Sequence, residues 1–172
     1  MVKKAVWLRQ EGCVMEYKSM MHVAFYTARM EEMIDFYTRQ MGGQVKVVMR
    51  YESYLERDDR PELQALAKKD PQRLFYVYIE LAPLQFIELF EARPDQKPHA
   101  GFNEQVGYSH FALLVDDIFA ARKELEHRGV TFTTQISKGP SETYQMWCHD
   151  PDDNYFEIMQ FTENSVQLKG VK

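Results

Sequence analysis

Four side chains carry the chemistry this sequence is equipped for. His22 and His110 stand in strand-like apolar runs, MMHVAFYT and YSHFALLV; Glu88 and Glu157 stand in two more, LQFIELF and NYFEIMQF. A carboxylate inside an apolar strand costs free energy unless it faces water, a partner or a metal ion. Imidazole nitrogen and carboxylate oxygen together are a donor set for a divalent cation, with water in the open positions. Binding a cation also keeps such a carboxylate ionised. A single strand histidine is more often a satisfied core or surface residue, and a single strand glutamate more often faces solvent. Here both types recur at matched places in two halves of the chain, and that pairing carries the metal reading. His127, His149 and His99 fall at a helix end, a hairpin turn and a linker, and are read as ordinary surface residues. Glu80 and Glu91 are read as solvent-facing.

The elements that must position these four residues repeat. Residues 20–27 read as a strand. ARMEEMIDFYTRQM follows, with Met30, Met33, Ile34, Tyr37 and Met41 on one helical face, stopped by Gly42 and Gly43. Strands are expected at 44–50, 74–81 and 84–90. The second half gives a strand at 108–115, a helix capped by Asp116 or Asp117 with Ile118, Ala121 and Leu125 buried, and strands at 130–136, 143–149 and 154–161. Each half is therefore β-α-β-β-β, and self-similarity of this kind outranks any single motif in setting the fold. Alternation puts His22 on a face with Ala24 and Tyr26, Glu88 with Phe86 and Phe90, His110 with Ala112, and Glu157 with Tyr155 and Met159. With the first and last strands of each unit as neighbours, each His lies across from its Glu. Two such pairs facing one another make a His2Glu2 set.

The divisions follow: an N-terminal extension at 1–17, a first module at 18–91 with an insertion at 52–73, a linker at 92–106, a second module at 107–162 and a tail at 163–172. The insertion is expected to hold a helix starting at Pro61 with Leu63 and Leu66 inward. A length of 172 residues, 45% of them hydrophobic, supports a substantial core, while a net charge of -5 argues against a nucleic-acid footprint. The opening MVKKAVWLRQEGC is too briefly apolar for a secretory signal, and no run reaches the ~18 apolar residues of a membrane span. Two cysteines, Cys13 and Cys148, make neither a disulfide framework nor a thiolate site, so a reduced, cytoplasmic setting is expected.

From residue 18 to 162 the chain resembles the vicinal oxygen chelate superfamily, which includes glyoxalase I, methylmalonyl-CoA epimerase, extradiol dioxygenases and fosfomycin- and bleomycin-resistance proteins. The resemblance is carried by MHVAFYT, FYTRQMGG, FIELF, GYSHFALLVDD and DPDDNYFEIMQF. It implies an α+β fold of two βαβββ modules, each curling into a half-open, barrel-like sheet with helices outside, around one divalent metal ion. Zn or Ni is expected first, with Co, Mn or Fe compatible. Glyoxalase I-like members use His or Gln, then Glu, His and Glu, a pattern that His22, Glu88, His110 and Glu157 match. The resemblance then implies a lyase or isomerase moving a proton next to a carbonyl of a small substrate with vicinal oxygens. In that role Glu157 is the leading base, Glu88 its counterpart, and the two histidines hold the ion. Tyr26 and Ala92 stand where glutathione-using members commonly carry Arg and Asn, which argues against a glutathione thioester. DPDDN replaces the usual DPDGN, so an aspartate must take a left-handed turn position.

Three alternatives stand beside this reading. His22, His110 and Glu157 alone would form an Fe(II) dioxygenase triad. The fold would also suit an acyl-CoA epimerase. A metal-free binding protein would use Tyr26, Phe86, Phe90, Tyr155 and Trp147 as an aromatic cleft. The expected partners are a small-molecule substrate and a second copy of the chain, without nucleic acid or membrane. The insertion is expected to act as a lid or substrate wall.

Overall fold

A computed structural model describes residues 17–98 and 100–170. The first module runs β1 (His22–Thr27), α1 (Met30–Asp35), β2 (Gln44–Arg50), α2 (Pro61–Lys69), β3 (Leu74–Ala82) and β4 (Gln85–Glu91). The second runs β5 (Phe111–Leu114), α3 (Ile118–His127), β6 (Ser137–Lys138), β7 (Tyr144–His149) and β8 (Tyr155–Gln160), with a short α4 (Val166–Lys169) after it. Each module folds into a four-stranded mixed sheet, ordered β1-β4-β3-β2 and β5-β8-β7-β6. In both, the first strand runs parallel to the last and the remaining pairs are antiparallel. The fold is α+β, and neither sheet closes on itself. His99 and the N-terminal extension through residue 16, with Cys13, lie outside the described residues.

The alternation read in the strands holds. Phe25, Val77, Ile79, Ile87 and Leu89 bury the back of the first sheet; Met146, Cys148, Phe156 and Ile158 bury the back of the second. The two backs and the helices share one core. The modules meet at their edge strands, where the Phe25 ring lies 6.0 Å from Phe111 and 6.2 Å from Tyr108.

The helix over 28–41 is not α-helical throughout. After Asp35 the chain makes a π-helical turn, Phe36–Gln40, with Met41 N–H donating to the Phe36 carbonyl. Phe36 and Tyr37 are both buried on this turn, and Met33 completes the buried set. Gly43 then packs so closely that an added Cβ would sit 2.6 Å from the Tyr37 carbonyl oxygen and 2.8 Å from Ile79 and Leu81. Asp117 caps α3, accepting from the Phe119 and Ala120 N–H groups.

Three expectations are corrected. The strand over 130–136 is reduced to one bridge, Phe132 to Cys148, with β6 following at Ser137–Lys138. Thr134 is the cause: its hydroxyl accepts the Trp147 N–H and its carbonyl accepts from Arg122, so the ladder bonds go elsewhere. In the insertion, α2 forms from Pro61 as expected, but Ala67 is its buried residue and Leu66 is exposed. Glu80 and Glu91 do not simply face solvent; they pair with Lys46 and Arg73.

A buried hydrogen bond adds to the packing between the modules. The buried Tyr37 hydroxyl donates to Asp150 Oδ2 at 2.8 Å, across 113 residues of sequence. Asp150 also accepts from the Asp152 N–H, the Asn154 N–H and the Asn154 side-chain amide. Asp153 takes the left-handed position of this turn, at φ 61°. No helix among the described residues is long and apolar enough to cross a membrane.

Candidate metal centre

Parallel pairing of β1 with β4 sets Ala24 opposite Glu88, so His22 reaches the carboxylate on the diagonal. His22 Nε2 lies 3.4 Å from Glu88 Oε2. β5 and β8 repeat the register, with Ala112 opposite Glu157 and His110 one residue before the strand. His110 Nε2 again lies 3.4 Å from Glu157 Oε2. Both glutamates are buried, while both histidines are about a third exposed at their side chains. Glu157 is therefore tolerated in its strand because it faces a partner.

The third strand of each sheet supplies a different neighbour. Tyr78 stands opposite Glu88, its ring 5.7 Å from the His22 ring. Burial, and then the adjacent Glu88 carboxylate, pushes the Tyr78 phenol up to about 12. Trp147 stands opposite Glu157, its ring 4.6 Å from His110. Ser109 Oγ lies 3.0 Å from His110 Nδ1, a contact that fixes the ring. From the linker, Phe102 stacks on Tyr155 at 4.4 Å and leans on Trp147 at 5.6 Å. Sequence reading singled out Trp147 but missed Tyr78 and Phe102. The signal for Tyr78 was available in YVYIEL: antiparallel pairing with FIELF sets a tyrosine opposite the glutamate.

The structure brings the four predicted residues together as two pairs and not as one group of four. Among the described residues, no three His, Cys, Asp or Glu side chains form a group able to hold a metal ion. The strand pattern leaves open whether one chain closes a four-donor set or two copies share it; within the described residues of one chain the two pairs stand apart. Because the modules join at the β1 and β5 edges, each keeps its own His–Glu face, although His22 and His110 both line one cavity of about 670 Å³.

The donor chemistry nevertheless fits a metal. Two ligands bonded to one ion at about 2.1 Å with a tetrahedral angle stand about 3.4 Å apart. Both pairs have that spacing, so each is a ready half-site of one nitrogen and one oxygen.

A duplicated βαβββ unit with one His–Glu pair per copy defines a paired-module class. Residues 19–158 match the model of the Glyoxalase/Bleomycin resistance protein/Dioxygenase superfamily, and the chain belongs to that superfamily. Among solved structures it is similar to a lactoylglutathione lyase from Agrobacterium tumefaciens, at 18% identity and a TM-score of 0.54, covering 84% of this chain and 94% of that one. It is also similar to a superfamily member from Sphaerobacter thermophilus DSM 20745, at 23% identity and a TM-score of 0.57, covering 84% and 98%. A V. Cholerae integron cassette protein matches at 19% identity and a TM-score of 0.54, covering 87% and 99%. At these identities the likeness speaks for the fold.

Proposed function

We propose that this protein is a divalent-metal-dependent lyase or isomerase of the glyoxalase I-like type. In this reading two copies of the chain complete the site. His22 and Glu88 of one copy meet His110 and Glu157 of the other, which gives two identical four-donor centres per symmetric dimer. The observation that carries it is the recurrence of the same His–Glu pair, at the same 3.4 Å spacing, in both modules. A half-site in each module is what a site shared between copies requires.

When bound, a Zn or Ni ion would supply Lewis-acid polarisation of the substrate's adjacent oxygens. The chain's own residues do the rest. The Glu157 carboxylate takes the proton from the carbon next to the carbonyl and returns it to the neighbouring carbon, so the net change is an isomerisation with no oxidant consumed. Glu88 stands on the opposite side as its counterpart. In this reading the second copy's sheet would cover the exposed front face and exclude water, which would strengthen the interaction of a carboxylate with the departing proton. Tyr26 and Ala92 at the two positions usual for glutathione recognition favour a different thiol or none.

Metal content and oligomeric state of the purified protein, followed by hemithioacetal assays with several thiols, test the reading. One ion per chain in a dimer and isomerisation with at least one thiol are expected. A monomer without metal that gains no activity from any added ion overturns it. Among the described residues neither pair has a third donor within one chain, which favours one second reading, a metal-free binding protein, and that same result would support it.

A further inference from the structure

The two His–Glu pairs share their spacing but differ on the far side of the imidazole. His110 Nδ1 lies 3.0 Å from Ser109 Oγ, and the Ser109 hydroxyl donates to the Asn103 side-chain carbonyl at 3.2 Å. Among the described residues no comparable chain reaches His22, whose ring meets that of Tyr78 at 5.7 Å.

The direction of this relay follows from counting protons. A serine hydroxyl has one hydrogen. With that hydrogen on Asn103 Oδ1, Ser109 Oγ accepts on its other side, so His110 Nδ1 carries the proton. A neutral imidazole protonated at Nδ1 has its lone pair on Nε2. Nε2 is the nitrogen that faces Glu157. The distance agrees, because 3.4 Å is longer than an N–H···O bond, which spans about 2.7–3.2 Å. The pair is spaced as a lone pair facing a carboxylate oxygen, an arrangement that a cation between them would relieve.

The linker holds the far end of the relay. Phe102 is seated on Tyr155 and Trp147 of the second sheet. Gly101 and Glu104 close a turn around it: the Glu104 N–H donates to the Gly101 carbonyl, and the Gly101 N–H to the Glu104 carboxylate. Asn103 takes the left-handed backbone of that turn, at φ 62°, which asparagine adopts more readily than most residues. The Phe102 ring pins the turn to the sheet, and the turn aims Asn103 at Ser109.

We propose that Asn103 and Ser109 are positioning residues: they hold His110 as the Nδ1–H tautomer, so that Nε2 presents its lone pair beside Glu157. In the metal-centre reading, on which this role rests, that lone pair is the one offered to the ion. The tautomer itself belongs to the metal-free chain and can be read there.

Nitrogen-15 NMR of the intact, metal-free protein at alkaline pH, where imidazole is neutral, reads the tautomer of each histidine from its two-bond couplings. The His110 signals are those missing in His110→Gln. Wild type is expected to show His110 as Nδ1–H. Ser109→Ala and Asn103→Gly each remove a relay group at an exposed site, and glycine keeps the left-handed backbone. Both should move the proton, at least in part, to Nε2, where the Glu157 carboxylate attracts it. Asn103→Asp keeps an acceptor in place and should keep Nδ1–H, and His22 should respond to none of the three. Competition with a chromophoric chelator then reads zinc affinity. Ser109→Ala and Asn103→Gly are expected to lose about tenfold, and Ser109→Thr, which retains the hydroxyl, to stay near wild type. Three results overturn the proposal: a wild-type His110 with its proton on Nε2, a tautomer indifferent to both substitutions, or a shifted tautomer with unchanged zinc affinity. A wild type that shows the expected tautomer and response yet binds no zinc strikes the metal-centre reading and leaves the relay standing.

Discussion

Where the first module sets Tyr78 opposite Glu88, the second sets Trp147 opposite Glu157. The two modules share strand order, register and the 3.4 Å His–Glu contact, yet they surround the carboxylates differently. Glu88 has a phenol beside it and a run of half-buried, mostly edge-on rings along the same face. Glu157 has an indole beside it, and Phe102 from the linker lies across the neighbouring Tyr155 and Trp147. Duplication has preserved the metal-type donors and let their surroundings diverge. In the proposed reading, the phenol next to Glu88 would hold that carboxylate in place, while the indole wall next to Glu157 would suit the carboxylate assigned to proton transfer.

The sharpest break of that comparison is a matched pair of substitutions. Glu157→Gln is expected to lower kcat by about 10²–10⁴-fold while retaining part of the metal. Glu88→Gln is expected to cost metal affinity first and turnover second. Steady-state kinetics alongside metal analysis reads both, and equal kcat losses at saturating metal would make the modules chemically interchangeable. Next in size is the contact that couples them. Tyr37→Phe removes one donor from a buried carboxylate and should cost about 2 kcal/mol in denaturant unfolding. A larger loss with a split transition would mean that the modules unfold separately.

Helix starts differ as well. α3 is capped by Asp117, whereas α1 has no side-chain cap at Arg29. Asp117→Ala should cost about 1 kcal/mol and Arg29→Ala distinctly less in the same measurement. The smallest expected effect is on pH dependence. Burial raises the Asp150 pKa above the ordinary carboxylate value, so the folded chain holds that proton more tightly than the unfolded chain does. Its contribution to stability therefore falls as pH rises from about 4 through the folded value, and is flat beyond. The stability of wild type relative to Asp150→Asn should decline over that window, and a difference independent of pH would show that Asp150 does not titrate there.

Much of this was legible because the repeat is written in alternation. The periodic runs at β2, β3, β4, β7 and β8 placed the strands to within a residue, and the matched His and Glu positions located both pairs. What escaped depended on bonds that alternation does not encode. VTFTTQI has strand-forming residues, yet the Thr134 hydroxyl and Arg122 take the bonds a strand would use. The π-turn at Phe36–Gln40 carries no local residue signal, and its Phe36 packs against the second sheet 6.2 Å from Phe156. Asp150 read as a turn residue, and nothing local indicated a tyrosine from the other module. How the four donors group is not written in the strands for a related reason: strand pattern fixes which residues share a face, but not how two sheets, or two copies, lie against each other.

The Tyr37–Asp150 bond makes the halves unequal in independence. A chain cut in the linker would leave the second half with a buried acidic group stripped of one partner, and the first half with a phenol that has nowhere to donate. Although the molecule is visibly a doubled unit, neither unit can be lifted out intact: the helix of one has become part of the other's hairpin.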